Sequence, residues 1–109
     1  MALYMIQAAY TAEAWATMIK KPEDRSKAVA SLAKELGGKL VSLYHSFGPF
    51  DVVLIIDMPS NVDAAAASLA ACAGGHLKSL QTTPLLTVEE TMDAARKASG
   101  VRYKTPGKK

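Results

Sequence analysis

The stretch "KLVSLYHSFGPFDVVLIIDM", residues 39–58, decides the fold of this chain. Two runs rich in β-branched and aromatic residues flank Gly48 and Pro49, a pair that favours a turn between strands. The spacing predicts an antiparallel hairpin in which Ser46 faces Asp51. One face of this hairpin is then almost wholly apolar and suits a place under helices: Val41, Leu43, His45, Val52, Leu54 and Ile56. The other face mixes hydroxyls, carboxylates and aliphatic side chains: Ser42, Tyr44, Ser46, Asp51, Val53, Ile55 and Asp57.

Capping and breaking residues predict the elements that precede the hairpin. Bulky and small residues alternate over residues 2–10, which predicts a first strand. Thr11 can cap a short helix that runs to about residue 20, and Pro22 suits the first turn of a second helix. The glycines at 37 and 38 end that second helix. Residues 12–36 are therefore predicted to form one broken helical crossover.

The same signals predict the elements that follow the hairpin. Ser60 can cap an alanine-rich helix over residues 61–73. A fourth strand follows, and Pro84 near its end suits an edge strand or a bulge. Thr87 and Glu90 have the spacing of a capping box, which opens a final helix to about residue 99.

The predicted order is strand, helix, strand, strand, helix, strand, with an added C-terminal helix. This is the ferredoxin-like βαββαβ pattern, an α+β fold with a four-stranded antiparallel sheet and both helices on one face. At 109 residues the chain fits one domain. We expect a single domain over residues 1–99 and a basic, flexible tail over residues 100–109.

The charge of the chain is concentrated at its C-terminus. Residues 96–109 carry six of the 13 bases and no acid, so the other residues hold seven bases against ten acids. Because Tyr103 is the one aromatic residue of that tail, we expect a solvated tail rather than a nucleic-acid binding surface. No apolar run reaches the ~20 residues of a membrane helix. The single Cys72 excludes an intrachain disulfide and favours a cytoplasmic location.

The second face of the predicted sheet needs a cover. Val53 and Ile55 would point to it and would be exposed to water in a lone monomer. A second copy stacked sheet on sheet would bury them, which predicts a homodimer in the form of a dimeric α+β barrel.

The segments "AKELGGKLVSLYHSFGPFDVVLIIDMP" and "LKSLQTTPLLT" resemble the GYD-domain family of the dimeric α+β barrel superfamily. The resemblance extends over roughly residues 3–87. Its marker is Gly48 followed by an aromatic residue and Asp51, then a β-branched strand that ends in an acid and a proline. The chain departs from this marker, because the aromatic residue is Phe50 rather than tyrosine and a proline precedes it. The resemblance implies a fold and a dimer, and it implies no particular activity.

Asp51, at the mouth of an apolar strand, is the first candidate for chemistry. A desolvated carboxylate beside Tyr44 could accept a proton while the phenol holds an oxyanion, so Tyr44 and Asp51 are candidate catalytic residues. The alternative is structural, with Asp51 accepting backbone N–H bonds from the turn at Gly48 and Pro49. Together with this pair, four other polar side chains within strands are candidates for binding a ligand: Gln7, Ser42, Ser79 and Gln81.

The remaining reactive side chains indicate neither a metal site nor a cofactor. Two histidines without a cysteine or carboxylate at ligand spacing are a weak metal signal. We expect His45 in the core and His76 in solvent. Cys72 lies in an alanine-rich helix with no basic neighbour, which favours a buried, inert thiol.

Three functions are compatible with these residues. The first is a homodimeric barrel that binds a small apolar molecule between sheet and helices and could act as a cofactor-free enzyme. The second is a non-catalytic ligand sensor or protein-interaction module, which the small number of titratable groups supports. The third is an adaptor whose basic tail binds nucleic acid or an anionic surface. The residues favour the first.

Overall fold

A computed structural model describes residues 2–107 of the chain. Eight elements follow one another: β1 (Ala2–Tyr10), α1 (Ala12–Lys20), α2 (Ser26–Glu35), β2 (Lys39–His45), β3 (Val52–Met58), α3 (Asn61–Ala73), β4 (Leu77–Pro84) and α4 (Val88–Ser99). The strands form one antiparallel sheet in the order β2-β3-β1-β4. The predicted α+β fold of the ferredoxin-like type, with an added C-terminal helix, is confirmed.

The hairpin between β2 and β3 has the predicted register at its closed end. Ser42 pairs with Ile55, and the Ser46 amide donates to the Asp51 carbonyl at 2.8 Å. The φ of Gly48 is 145°, a backbone conformation that side chains with a Cβ rarely adopt. The turn signal in the sequence therefore sets the register of the strands beside it.

A bulge at Val41 shifts the register towards the other end of this hairpin. Leu40 pairs with Ile56 and Ser42 with the adjacent Ile55. Val41 is therefore an extra residue on β2 that has no partner on β3. The prediction that Val41 faces the helices is therefore wrong. Its side chain is 53% exposed, and Leu40 packs against the core instead.

Alternation along the two central strands builds the core on the helix side of the sheet. The side chains of these strands that form the core cluster are Tyr4, Ile6, Ala8 and Tyr10 from β1 and Val52, Leu54, Ile56 and Met58 from β3. Small side chains, Ala33 of α2 and Ala64 and Ala67 of α3, are buried against them. Burial of apolar surface stabilises this layer by about 25 cal/mol per Å².

The second helix begins later than the sequence predicts. Pro22 lies before it, and α2 starts at Ser26, whose amide donates to Asp24 Oδ1 at 3.0 Å. Hydrogen bonds from the Ser26 hydroxyl and amide also lower the pKa of the exposed Asp24 carboxyl. Because Asp24 satisfies an amide of the first turn, the helix begins at Ser26. The residues before Ser26 form a loop, and this loop carries Glu23 and Arg25.

The last helix, α4, projects away from the rest of the chain. None of its twelve residues is buried, although Thr87 provides the predicted capping box. The radius of gyration is 17.7 Å, against about 13 Å for a compact chain of this length. Neither α4 nor any other helix within residues 2–107 is long and apolar enough to cross a membrane.

Candidate functional site

An apolar cavity of about 70 Å³, which we call the slot, lies between the sheet and the helices α2 and α3. Its apolar wall consists of Ile6, Ala8, Leu43, Val52, Leu54, Ile56, Leu77 and Leu80 from the strands and Val29, Leu32, Ala33, Ala67 and Ala71 from the helices. The helix wall contains three alanines, whose methyl groups leave space that larger side chains would fill. The slot therefore exists because these helix positions carry alanine instead of a larger side chain.

Three polar residues complete the wall of the slot: Tyr10, Arg25 and His76. The same three residues line a wider and more open cavity of about 250 Å³, which we call the vestibule. Its other lining residues include Thr17 of α1 and Glu23 of the loop before α2. The slot and the vestibule therefore meet at these three side chains, with an apolar interior and a polar mouth.

Contacts at the end of β1 hold one side of this mouth in place. The rings of Tyr10 and His76 stack with their centroids 6.2 Å apart and an interplanar angle of 29°. The amide of Thr11 donates to the His76 carbonyl at 3.0 Å. Trp15 of α1 packs edge-on against Tyr10 at 5.3 Å. Gly74 leaves room for the imidazole, since a Cβ there would lie 2.8 Å from His76 Nδ1.

The charges at the mouth nearly compensate each other. Arg25 Nη1 lies 3.2 Å from Glu23 Oε1, so the guanidinium already has one carboxylate partner. Burial raises the pKa of the Tyr10 phenol, while the positive charge of Arg25 lowers it in part and the Asp51 carboxylate raises it. Because the net shift is upwards, the phenol stays protonated at neutral pH and can donate a hydrogen bond. The mouth thus offers O–H and N–H donors to an oxygen atom of a ligand.

Asp51 immediately precedes β3, and its carboxylate holds the backbone of Tyr10, a residue of the mouth, in place. Its Oδ2 accepts hydrogen bonds from the Tyr10 amide at 2.9 Å and from the Trp15 indole nitrogen at 3.2 Å. The donors are therefore on β1 and α1, whereas the structural alternative predicted donors in the turn at Gly48 and Pro49. The carboxylate positions the backbone of Tyr10.

The structure does not bring the predicted catalytic pair, Tyr44 and Asp51, to either cavity. Tyr44 pairs with Val53 across the hairpin, and its side chain is 68% exposed. The described walls of the slot and the vestibule contain neither Tyr44 nor Asp51. An acid–base role for this pair therefore receives no support from the slot.

The predicted ligand-binding residues within the strands lie on the open face of the sheet, away from the helices. Ser42 faces Ile55 on β3, and Ser79 faces Ala9 on β1. Cross-strand partners share a face, so one row of four side chains crosses the whole sheet: Tyr44, Val53, Gln7 and Gln81. The structure thus brings these candidates to one surface, which is not the surface that contains the slot.

The residues of the mouth were missed by reasoning from the sequence. His76, expected in solvent, is half-buried and lines both cavities. His45 and Cys72, expected in the core, are exposed. One signal was present in the sequence. Tyr10 ends β1 and His76 precedes β4, and in an antiparallel pair the end of one strand lies beside the start of the other. Arg25 had no comparable signal, because its loop was predicted to be helix.

A family model described as the GYD domain matches residues 4–95. No curated protein is similar enough to the chain to count as a match. Among solved structures, the chain is similar to the crystal structure of an uncharacterized NIPSNAP domain protein from Burkholderia xenovorans. The two share 15% identity over 81% of this chain and 95% of that chain, with a TM-score of 0.49.

Proposed function

Because this chain belongs to the GYD domain family, and a family fold does not by itself define a reaction, we propose a function from the cavity. The protein binds a small molecule that places a short apolar end in the slot and a polar end in the vestibule. The observation that carries this proposal is an apolar cavity that ends at three polar side chains, Tyr10, Arg25 and His76.

The size of the slot limits the apolar end of the ligand. Its volume of about 70 Å³ is roughly half of a ~150 Å³ cavity that holds benzene. A short alkyl group therefore fits better than an aromatic ring. The wider vestibule accepts the remainder of the molecule.

The donors at the mouth define the polar end of the ligand. A protonated phenol, a guanidinium and an imidazole can all donate to a carbonyl or carboxylate oxygen. Glu23 compensates the charge of Arg25, and its side chain is 59% exposed, so it can move into solvent when a carboxylate replaces it. These features support a short-chain carboxylate or carbonyl compound as the ligand class.

Binding of short-chain carboxylates, from butanoate to octanoate, to the full chain tests the slot. We expect amide chemical shifts near Tyr10 and His76 to move on titration. Ala71→Leu fills the slot and should weaken binding about tenfold, since two lost buried methylenes correspond to ~1.6 kcal/mol. Ala70→Leu changes the exposed neighbour on the same helix and should leave the affinity unchanged. Equal binding by both variants would contradict the proposal.

Substitution of Arg25 tests the polar end separately. Arg25→Gln removes a charge-assisted hydrogen bond of about 1.5–3 kcal/mol and should weaken carboxylate binding by at least tenfold. The alcohol of the same chain length should lose much less affinity. Arg102→Gln, which removes an exposed charge far along the chain, is the matched control. A loss of the same size for the alcohol would show that Arg25 acts through packing and not through the carboxylate.

We also propose that two copies pack through the open face as a homodimer. Met5, Val53 and Ile55 are only half-buried there, and within residues 2–107 the buried Oδ1 of Asp57 has no hydrogen-bond partner. A second copy would cover the three apolar side chains. The candidate residues of the open face would then line the space between two sheets: Gln7, Ser42, Tyr44, Ser79 and Gln81. Proton transfer by Tyr44 and Asp51 stays a separate hypothesis, which Tyr44→Phe would test once a substrate is known.

A further inference from the structure

The helix α4 has an apolar stripe but nothing to pack against. Val88 and Met92 are 79% and 51% exposed, and Ala95 continues the same stripe one turn later. An isolated helix of about twelve residues is marginally stable in water, even with a good cap. We therefore expect α4 to owe its stability to a surface that covers this stripe.

The outer side of α3 is an unusually apolar surface for a helix in contact with water. Residues 64–77 contain no Asp, Glu, Lys or Arg, and α3 exposes Val62 and Leu69 to 78% and 71%. A groove of about 360 Å³ runs between α3 and β4, with Ala65, Leu69 and Pro84 in its wall. A helix that is apolar all round is normally buried on more than one side.

We propose that α4 of one copy packs antiparallel along the α3 groove of a second copy. The two helices have twelve and 13 residues, so both are about 18–20 Å long. The small side chain of Ala65 permits a close approach, and Met92 and Leu69 supply the larger apolar groups. By symmetry the second copy returns its own α4 to the first, which closes the contact.

Charge complementarity favours the antiparallel direction. The first turn of α3 carries Asp63, whereas α4 has Glu89 and Glu90 in its first turn and Arg96 and Lys97 in its last. In the antiparallel arrangement the basic end of α4 lies beside Asp63, and the helix dipoles also oppose each other.

The same charges argue against docking of α4 on its own chain. Pro84 at the end of β4 and Asn61 at the start of α3 line the same groove, so α4 begins near the first turn of α3. Folding back would make the helices parallel and would place Glu89 and Glu90 beside Asp63. Like charges on neighbouring turns of packed helices are destabilising. We therefore infer that the occupant is α4 of another copy.

Cross-linking to the single native cysteine tests the partner and the direction together. Cys72 lies near the end of α3 and is exposed. The full chains carrying Val88→Cys or Ala98→Cys are treated with a short bis-maleimide, with the unsubstituted protein as baseline. We expect Val88→Cys to give a covalent dimer on the order of a hundredfold faster than Ala98→Cys, because contact holds the two thiols at a mM effective concentration. Mass spectrometry of the linked peptides should show positions 88 and 72.

Three outcomes would overturn the proposal. An intramolecular link between positions 98 and 72 would show that α4 folds back on its own chain. An intermolecular link of the same pair would show a parallel contact. Reaction of both variants at the baseline rate would show that α4 does not contact α3.

A second pair of variants separates contact from a chance encounter of thiols. In the Val88→Cys background, Met92→Lys places a charge in the apolar stripe and should abolish the rapid cross-link. Ala94→Lys places the same charge on the opposite side of α4 and should leave it unchanged. Equal rates in the two would contradict the contact. None of these measurements depends on the slot, so this inference and the proposed ligand function can fail independently.

Discussion

A single carboxylate, Asp51, joins the start of β3 to the end of β1 and to α1. It accepts one hydrogen bond from the backbone amide of Tyr10, a residue of the mouth, and one from the indole of Trp15, which packs against Tyr10. An aspartate at the entrance of an apolar strand is therefore explained by the partners it reaches across the sheet. Its role is to set the position of Tyr10.

Asp51→Ala should lower the free energy of unfolding by about 1–3 kcal/mol, because two donors lose a charged acceptor. Asp51→Asn keeps one oxygen and should cost less. Asp93→Ala removes a carboxylate from an exposed ion pair on α4 and serves as the control, with an expected change below ~1 kcal/mol. Urea unfolding followed by Trp15 fluorescence gives all three values. Equal losses for Asp51→Ala and Asp93→Ala would contradict the anchoring role.

The raised pKa of the Tyr10 phenol predicts a loss of stability at alkaline pH. Burial holds the folded pKa of its phenol above the ordinary value of 10.0, so its contribution to stability is complete below pH 10. That contribution is lost as the pH rises through the folded pKa, because the unfolded chain releases the proton more easily. Tyr10→Phe should therefore flatten the fall in unfolding free energy between about pH 9 and pH 11.

The control for this pH dependence is Tyr103→Phe, which changes a phenol that is 77% exposed. Its stability should fall with pH as steeply as that of the unsubstituted protein. Denaturant melts at a series of pH values measure the slopes. A Tyr10→Phe variant with an unchanged slope would show that another group titrates in this range.

At the scale of elements, the connection from α2 to β2 packs closely against the neighbouring strand. A Cβ at Gly38 would collide with the Asp57 carbonyl oxygen and with Sδ of the fully buried Met58. The short link therefore packs directly on β3, and this contact fixes how α2 lies over the sheet. The position of α2 in turn determines one wall of the slot.

Gly38→Ala should destabilise the protein by at least about 1–3 kcal/mol, because backbone and a buried side chain must both shift. Gly100→Ala is the matched control, since the nearest atom to its added Cβ is 3.6 Å away and its φ is −91°. That change should be within about 0.5 kcal/mol of zero or slightly stabilising. Thermal melts by circular dichroism compare the two. Similar melting temperatures would contradict the close packing.

At the scale of the whole molecule, two apolar surfaces remain without cover in a single chain. One is the open face of the sheet, and the other is formed by the outer side of α3 and the stripe of α4. The described residues span 62 Å along their longest axis, in keeping with an α4 that projects away from the sheet. Both surfaces underlie the contacts with further copies that we propose.

The proposed dimer through the open face predicts a melting temperature that depends on protein concentration. A tenfold increase adds about 1.4 kcal/mol to the stability of a dimer, which corresponds to roughly 3–6 °C. Ile55→Lys should reduce this dependence, since it places a charge in the centre of the open face. Ala28→Lys, on the exposed side of α2, should leave it unchanged. If Ile55→Lys melts with the same concentration dependence as Ala28→Lys, the open face is not the interface.

The sequence by itself determined which segments are helices and strands, in what order they follow, and where most of them begin and end. These features depend on neighbours a few residues apart: Thr11, Ser60 and Thr87 accept hydrogen bonds from amides three residues later, and the turn at Gly48 sets the register beside it. The late start of α2 and the bulge at Val41 were not predicted from the sequence, because competing local arrangements have similar free energies.

Only the tertiary structure decided where the candidate site lies. Tyr10, Arg25 and His76 come from a strand end, a loop and a strand start, and they meet only because β1 pairs with β4 and the loop before α2 reaches the same cavity. The slot, likewise, is the space left by alanines on two helices, which no single segment can reveal. Polar residues within strands mark a face from the sequence, but the choice between the two faces as a site depends on contacts between distant parts of the chain.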